Sequence, residues 1–275
     1  MALSRAEIAD FRAAVYGYYN GSKREMPWRT RTSGYYVLVS ELMLQQTGVE
    51  RVKPKFEAFV TQFVDFEALA SAPLSAVIAA WSGLGYNRRA KYLHAAARIV
   101  RAKYGGELPE DVKLLQDLPG VGPNTAGAIM AYAFNRSVVY LETNIRTVYM
   151  HHFFVQGEAK IDDKELRPLV EQTLDADHPR EWYWALMDYG TYLKSHQGNN
   201  IARSKHYKKQ STFAGSPRQM RGEILRRLQT GAVAEQQLAT ALAADDRYEA
   251  ALASLIRDGL VERRRGSVGL PSGLH

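Results

Sequence analysis

Residues 118–126 form a short turn whose composition suits the binding of an anion. The order apolar-Pro-Gly-apolar-Gly leads directly into a stretch rich in alanine and glycine, which predicts a helix. Unpaired N–H groups and the dipole at a helix N-terminus favour a negative charge, such as a DNA phosphate. The glycines can adopt positive φ and let a phosphate approach, while Val121 can anchor the turn in the core. The alternative is a connection between helices that binds nothing. The residues of this candidate phosphate site are Gly120, Val121, Gly122, Asn124 and Thr125.

Composition limits the classes of protein to which this chain can belong. It has 275 residues, of which 46% are hydrophobic, enough for one large or two smaller globular domains. The net charge of +7 favours a polyanionic partner. The sequence contains no cysteine, which excludes disulfides, thiol catalysis, cysteine-bound zinc and a cysteine-bound iron–sulfur cluster.

The sequence also indicates where the protein works. It has no apolar run long enough to span a bilayer, and a helix pattern follows Arg5 at once instead of a signal peptide. We therefore expect a cytoplasmic protein, associated with the nucleoid if the source is bacterial. No membrane partner is expected, and we expect a monomer.

Apolar residues at helical spacing run along most of the chain and must supply the framework for any site. Ser4 and Glu7 form a capping box that begins a first helix, and Pro73 is expected in the first turn of another. Further helices are predicted over 87–104, 125–134, 144–154, 164–174 and 180–193. Strand-like alternation is scarce before the C-terminus, so the predicted class is all-α with short loops.

The last 60 residues, at 216–275, are predicted to form a separate module. Three short amphipathic segments precede a basic hairpin that carries Arg263, Arg264 and Arg265. This order is similar to a winged helix–turn–helix, in which the arginines would contact DNA phosphates and strengthen binding to any duplex. The alternative is a small packing or dimerisation domain whose arginines are only solvated.

Five motifs in a fixed order resemble one family. They are MPWR at 26–29, SELMLQQT at 40–47, WSGLGY at 81–86, LPGVG at 118–122 and ALMDYG at 185–190. Together they resemble the helix-hairpin-helix DNA glycosylases, most of all the MutY-type A/G-mismatch adenine glycosylases. The resemblance covers about residues 24–193. It implies a glycosylase domain at 1–215, with a six-helix lobe at about 30–137 and a second lobe from 1–29 and 138–215. In such a fold, double-stranded DNA is gripped at a cleft and the target base is flipped out.

The resemblance also implies roles for individual residues. Glu41 falls at the family's general acid, where apolar neighbours could raise its pKa so that it protonates the leaving purine; the alternative is a carboxylate that only caps or pairs. Gln45 and Gln46 resemble the wedge that fills the space of the extruded base, and Tyr86 resembles the tyrosine that opens the opposite base. Trp28 and Arg29 fall at the base pocket, although Trp28 could equally be a core residue. Asn144 matches an asparagine that the family keeps near its second carboxylate.

Three features depart from the family pattern, and Asn124 is a further informative position. Glu142 stands where the family has an aspartate that stabilises the oxocarbenium-like sugar, one methylene shorter. Trp184 replaces a residue that reads the adenine edge. Asn124 replaces the lysine of bifunctional relatives, so hydrolysis by water is expected because an amide cannot form an imine. The basic stretch 199–209 replaces the four-cysteine cluster, so helix packing and salt bridges must hold this segment. No cofactor is expected beyond a monovalent cation at the hairpin, and no metal is required.

These residues predict a monofunctional DNA glycosylase of base excision repair that hydrolyses the N-glycosidic bond of a mispaired or damaged base, with adenine favoured. A first alternative is a glycosylase for another base, namely uracil, thymine in a G·T pair, hypoxanthine or an alkylated purine. This alternative is favoured by Trp184, by Glu142 and by the winged-helix-like segment, which stands in place of the family's Nudix-like domain. A second alternative is a non-catalytic DNA-binding protein on a glycosylase scaffold, against which the intact Glu41 argues.

Overall fold

Helices dominate the computed structural model, which describes residues 2–154, 160–197, 200–207, 212–242 and 245–271. Over these residues the chain forms fifteen α-helices, two short 3-10 turns and three short strands, and the predicted all-α class is confirmed. The helices are α1 (Arg5–Ser22), α2 (Pro27–Thr30), α3 (Gly34–Leu44), α4 (Val49–Gln62), α5 (Phe66–Ser71), α6 (Leu74–Ala80), α7 (Arg88–Tyr104), α8 (Val112–Gln116), α9 (Pro123–Tyr132), α10 (Thr143–Phe153), α11 (Asp163–Thr173), α12 (Pro179–His196), α13 (Pro217–Arg227), α14 (Glu235–Ala241) and α15 (Asp246–Arg257). The strands are β1 (Val233–Ala234), β2 (Glu262–Arg264) and β3 (Ser267–Gly269). No helix among the described residues is long and apolar enough to cross a membrane.

Local signals set most helix starts. Ser4 and Glu7 form the predicted capping box of α1. The starts predicted at 87, 144, 164 and 180 are each within one residue of the observed ones, and two prolines stand at positions that differ from the prediction. Pro73 is the residue before α6 and does not lie in its first turn, while α9 begins at Pro123, two residues before the predicted start. Proline is tolerated at both places because a residue there needs no intrahelical N–H bond.

One compact unit comprises Met1–Val37, Glu110–Gln116 and Val121–Lys209. Its core is aromatic, with the Phe11 ring 5.0 Å from Tyr149 and 5.9 Å from Trp182. The packing of α12 on α10 depends on Gly190, because a Cβ there would lie 2.5 Å from the Asn144 carbonyl oxygen. This close approach fixes the N-terminal turn of α10, where Glu142 and Asn144 lie.

The other compact unit comprises Leu38–Pro109, Asp117–Gly120 and Gln210–His275. It therefore contains both the helices around the buried Trp81 and the predicted C-terminal module. In that module, antiparallel strands form a sheet of order β1-β3-β2 beside α13, α14 and α15. Ile78 of α6 is buried in the same apolar cluster as Ile224 and Leu252, so the C-terminal helices pack directly on α6.

Candidate active site

Glu142 caps the N-terminus of α10 with its own side chain. Its Oε1 accepts hydrogen bonds from the backbone N–H groups of Asn144 at 2.5 Å and Ile145 at 2.9 Å. Glutamate is a less common capping residue than aspartate, and its extra methylene lets the carboxylate fold back over the helix end. The second oxygen, Oε2, lies 3.4 Å from the Asn144 side-chain amide. The carboxylate is thus held in one place by groups of its own helix.

Two opposing influences act on the Glu142 carboxylate. Burial raises its pKa, while the amide hydrogen bonds and the positive charges of Lys194 and Arg146 lower it. The effect of burial is the larger, so the pKa lies above the ordinary value of 4.5. Burial in turn lowers the pKa of Lys194, which the charge of Glu142 partly offsets. A carboxylate that is partly shielded from water interacts more strongly than a fully exposed one with any positive charge that develops beside it.

Trp184 lies on α12, in the same unit as Glu142, and has two flat partners, Tyr132 and Arg29. Its ring stacks on Tyr132 at 6.0 Å between centroids, and the guanidinium of Arg29 lies 5.5 Å from the Trp184 ring centroid. Trp184 is partly exposed, so part of this stack meets solvent. Stacked aromatic and guanidinium groups are a common platform for a nucleobase.

Asp188 positions Arg29, although the sequence alone did not single it out. It is fully buried and accepts hydrogen bonds from Arg29 at 2.8 Å through both oxygens and from Arg24 at 2.6 Å. Burial alone would raise the pKa of Asp188, but the hydrogen bonds and charges of these arginines hold it below its ordinary value. An acidic residue on the otherwise apolar face of α12 is a signal that could have revealed it.

Trp28 lies at the start of α2 and is only 7% exposed. This burial favours the core-packing alternative for Trp28 over a direct contact with a base. Arg29 therefore has the clearer link to the Trp184 platform, and the pocket role of Trp28 stays a prediction.

Glu41 lies near the end of α3, between the buried residues Ser40 and Leu42. The glutamate itself is partly exposed, so its side chain is less buried than the motif suggested. A carboxyl on an otherwise buried helix that still meets solvent can be reached by a substrate. Its role as a general acid stays a prediction.

Arg89 organises the segments that follow Glu41, and sequence reasoning missed it. Its buried guanidinium donates to the carbonyls of Leu42, Met43 and Gln45 at 2.6–2.8 Å, which closes the C-terminal end of α3. The same group donates to Thr47 Oγ1 and to three carbonyls of the turn before α7, at Leu84, Gly85 and Tyr86. Burial lowers the pKa of Arg89 to about 10, so it remains charged at neutral pH. The sequence signal is an arginine on the buried face of α7.

We expect Arg89→Ala to lower the free energy of unfolding by about 3 kcal/mol or more, because several buried carbonyls would lose their donor. Urea unfolding followed by circular dichroism measures this change. Arg88→Ala is the matched control, since the Arg88 side chain is 58% exposed. A loss below 1 kcal/mol in Arg89→Ala would show that Arg89 does not organise this region.

Gln45 and Gln46, the predicted wedge residues, and Tyr86 line the same groove as this arginine. Gln46 and Tyr86 both have positive φ, at 55° and 46°, which is strained for residues with side chains. Gln45 donates from Nε2 to the carbonyl of Gly120, at 3.2 Å. The end of α3, the turn before α7 and the first half of the glycine turn are therefore tied together within one unit.

Of the two glycines in the predicted anion site, one has positive φ. Gly120 has φ +83°, and a Cβ there would lie 3.0 Å from Tyr92 Cβ, so glycine is required. Gly122 has an ordinary φ of −91°, so only Gly120 uses the positive φ that glycine allows. Val121 is buried as predicted, while Gly122 and Asn124 are exposed and Thr125 is partly exposed at the start of α9.

Packing and backbone hydrogen bonds hold residues 200–207, the described part of the basic stretch. Ile201 is buried, and Ile161 and Ser204 form a parallel bridge through backbone bonds. Lys205 and His206 lie 3.6 and 4.0 Å from Asp162 carboxylate oxygens. Residues 199, 208 and 209 of the basic stretch lie outside the described residues. In the described part of the chain, no three His, Asp or Glu side chains are grouped to hold a metal.

The basic hairpin of the C-terminal module carries its arginines at the surface. Arg263 pairs with Glu235 at 2.7 Å, and Arg264 pairs with Glu262 at 2.6 Å. Arg265 is exposed at the hairpin turn, with φ 47°. Exposed pairs of this kind contribute little to stability and exchange readily for other anions.

Helix α8, the glycine turn and helix α9 follow one another in the order of a helix-hairpin-helix unit, and comparisons with known proteins agree with this class. The family model of the HhH-GPD superfamily base excision DNA repair protein matches residues 39–173. The chain is 34% identical over 269 residues to an adenine DNA glycosylase of Mycolicibacterium smegmatis, covering 90% of this chain and 92% of that protein. It is 33% identical over 190 residues to the adenine DNA glycosylase of Buchnera aphidicola, covering 68% of this chain and 54% of that protein. The chain thus belongs to the HhH-GPD superfamily of base excision DNA repair proteins.

Solved structures share the same fold. A thermostable thymine-DNA glycosylase superposes with a TM-score of 0.61 at 24% identity, covering 72% of this chain and 94% of that one. Endonuclease III in a non-covalent DNA complex also has a TM-score of 0.61, at 16% identity, covering 72% of this chain and 91% of that one. The chain spans about half the length of the Buchnera relative but nearly the whole length of the Mycolicibacterium one.

Proposed function

We propose that this protein is a monofunctional DNA glycosylase that removes a flipped, mispaired adenine from double-stranded DNA. The observation that carries the proposal is the Glu142 carboxylate, held by two backbone amides at a helix N-terminus. Its place in the same unit as the Arg29–Trp184–Tyr132 stack supports a site for a base and its sugar. The similarity to adenine DNA glycosylases of two bacteria supports adenine as the base.

The proposed reaction breaks the bond between C1′ of the sugar and N9 of the purine. The bonding electrons leave with the base, and Glu41 donates a proton that neutralises it. The sugar becomes oxocarbenium-like, and the Glu142 carboxylate stabilises its positive charge. Water then adds to C1′ and loses a proton. The products are free adenine and an abasic site in an unbroken strand.

Binding to the duplex would use features that lie outside the base site. The amides at the N-terminus of α9, with Gly120 and Gly122 before it, suit a phosphate. Gln45 and Gln46 would fill the space of the extruded base. The arginines of the C-terminal hairpin would exchange their carboxylate partners for DNA phosphates.

A second candidate is a glycosylase for a different base. Trp184 favours it, because an indole ring stacks on any base and cannot read the adenine edge as an amide or a carboxylate does. Uracil, thymine opposite guanine, hypoxanthine and alkylated purines are the candidates.

A panel of duplexes tests both candidates. Each duplex carries one target base opposite one defined partner, and abasic sites are counted after alkali under single-turnover conditions. We expect adenine to be released and the other bases to be retained. Release of another base at a higher rate supports the second candidate, and release of none from the whole panel contradicts both.

We expect base release without strand cleavage, because Asn124 cannot form a Schiff base with the sugar. Borohydride added during the reaction should trap no protein–DNA adduct, while a lyase-proficient glycosylase serves as the positive control. The Lys194→Gln variant belongs in this assay because burial lowers the pKa of Lys194. An adduct formed by the unmodified protein and lost in Lys194→Gln would make Lys194 the nucleophile and contradict the prediction.

A further inference from the structure

Lys194 lies on the face of α12 that packs against the N-terminal end of α10. Three residues define this face because each of them meets Asn144. The Asn144 side-chain amide donates to Met187 Sδ at 3.7 Å, and Thr191 donates to the Asn144 side-chain oxygen at 3.4 Å. Gly190 lies against the Asn144 carbonyl. Lys194 follows Gly190 by four residues and Thr191 by three, so it stands one helical turn further along the same face.

The Glu142 carboxylate lies at the end of α10 that this face contacts. Its Oε2 lies 3.4 Å from the Asn144 side-chain amide, so polar contacts link Glu142 to α12 through Asn144. Burial raises the pKa of Glu142, and the charge of Lys194 opposes this effect. In the described part of the chain the two side chains form no direct hydrogen bond or ion pair, so their charges interact through space.

Lys194 differs from the other cations near this carboxylate because its charge is not taken up by a carboxylate partner. Arg146 also acts on the carboxylate, but it forms two hydrogen bonds of 2.7 Å with Asp163. Arg24 acts on Lys194 and is itself paired with the buried Asp188. Within the described residues no ion pair joins Lys194 to an acidic group. A partly buried cation that has no such partner is poorly screened and acts over a longer distance.

We propose that Lys194 is a positioning residue of the base-release reaction, which keeps the Glu142 carboxylate ionised beside the sugar. The proposal rests on the proposed function, in which the ionised carboxylate stabilises the positive sugar. A carboxylate shielded from water favours its neutral form, and a neutral Glu142 would give the sugar no such stabilisation. Lys194 lies beyond residues 39–173, the region that the family model matches.

The charge of Lys194 also has an opposite effect on the reaction. It repels the positive charge that develops on the sugar, so its removal should not slow base release at a pH where Glu142 is already ionised. A structural role predicts something else, because a damaged end of α12 would slow base release at every pH. The pH dependence of the rate therefore separates the two roles.

The first test measures the single-turnover rate of base release against pH at saturating protein, on a duplex with adenine opposite guanine. In Lys194→Gln, the pH at which the rate falls to half of its maximum on the acidic side should rise by about 0.5 to 1, as expected for one charge several ångströms away in a partly solvated region. Below that pH the rate should therefore drop by roughly 3- to 10-fold. The maximal rate should stay the same or rise.

Two further variants serve as controls for this profile. Lys194→Arg keeps the positive charge and should keep the acidic limb where it is. Lys164→Gln removes an exposed lysine of α11 from the same unit and should also leave the profile unchanged. An equal loss of rate at every pH in Lys194→Gln would show a structural role and overturn the proposal, as would an unmoved acidic limb.

The second test follows the two residues without DNA, by carbon-13 NMR. The side-chain carboxyl signal of Glu142, identified by its loss in Glu142→Gln, should titrate at a higher pH in Lys194→Gln than in the unmodified protein. Coupling between two sites is reciprocal, so Glu142→Gln should lower the pKa of Lys194. Reductive carbon-13 methylation reports that pKa, and the Lys194 signal is identified by its loss in Lys194→Arg.

The reciprocal measurement uses a protein in which Lys194 is intact, so it decides the matter even if Lys194→Gln does not fold. An equal pKa of Lys194 with and without the Glu142 charge would overturn the proposal. Coupling between Lys194 and Glu142 in a protein that releases no base would refute the proposed function and leave the electrostatic link between the two residues standing.

Discussion

Glu41→Gln should lower the single-turnover rate of base release about 100-fold or more and leave the affinity for DNA nearly unchanged. Glutamine has the shape of glutamate but holds no acidic proton, so the leaving purine would depart as a poor anion. The side chain is partly exposed near the end of α3, so its replacement should cost little stability. Rapid-quench kinetics and a filter-binding titration on the same duplex separate the two effects.

The control for this variant is Glu50→Gln, because Glu50 is an 84% exposed glutamate of the same unit. It should keep the full rate. A Glu41→Gln enzyme within tenfold of the unmodified rate would assign the proton transfer to another group. A variant that lost DNA binding in parallel with activity would indicate a positioning role for Glu41.

The second large effect is expected at Glu142. Glu142→Gln should abolish most base release, because a neutral amide cannot stabilise the positive sugar. It can still accept the hydrogen bonds of Asn144 and Ile145, so the cap of α10 should survive. Glu142→Asp should keep a measurable part of the activity, since it retains the charge and aspartate is a favourable capping residue. Full activity in Glu142→Gln would move the stabilising role to another residue.

The pH dependence follows from the raised pKa of Glu142. Catalysis needs its charged form, so the single-turnover rate should fall as the pH decreases through a value above 4.5. The free energy of unfolding changes with pH in the opposite direction to the rate. Burial favours the protonated form of Glu142, so its contribution to stability is lost as the pH rises through the same value. At neutral pH, Glu142→Gln should therefore have a Tm at or above that of the unmodified protein. A rate that stays constant down to pH 4.5, or a much lower Tm, would contradict this account.

The sequence by itself determined the helices, the glycine turn and the order of the family motifs. These depend on neighbours within a few residues: a capping box at Ser4, apolar spacing of 3.6 residues, and a proline at the start of α9. The absence of cysteine and the identities at Asn124, Glu142 and Trp184 are also properties of the sequence alone. Chemical identity and local propensity need no knowledge of packing.

Only the tertiary structure decided which side chains meet. In the sequence, Arg89 and Asp188 look like ordinary charged helix residues. In the structure each is buried and lies at the centre of a hydrogen-bond network. Arg218 and Tyr86 are 132 residues apart along the chain and touch because the C-terminal helices pack on α6. Contacts of this kind depend on which apolar faces bury one another, and helical periodicity gives the direction of a face without naming its partner.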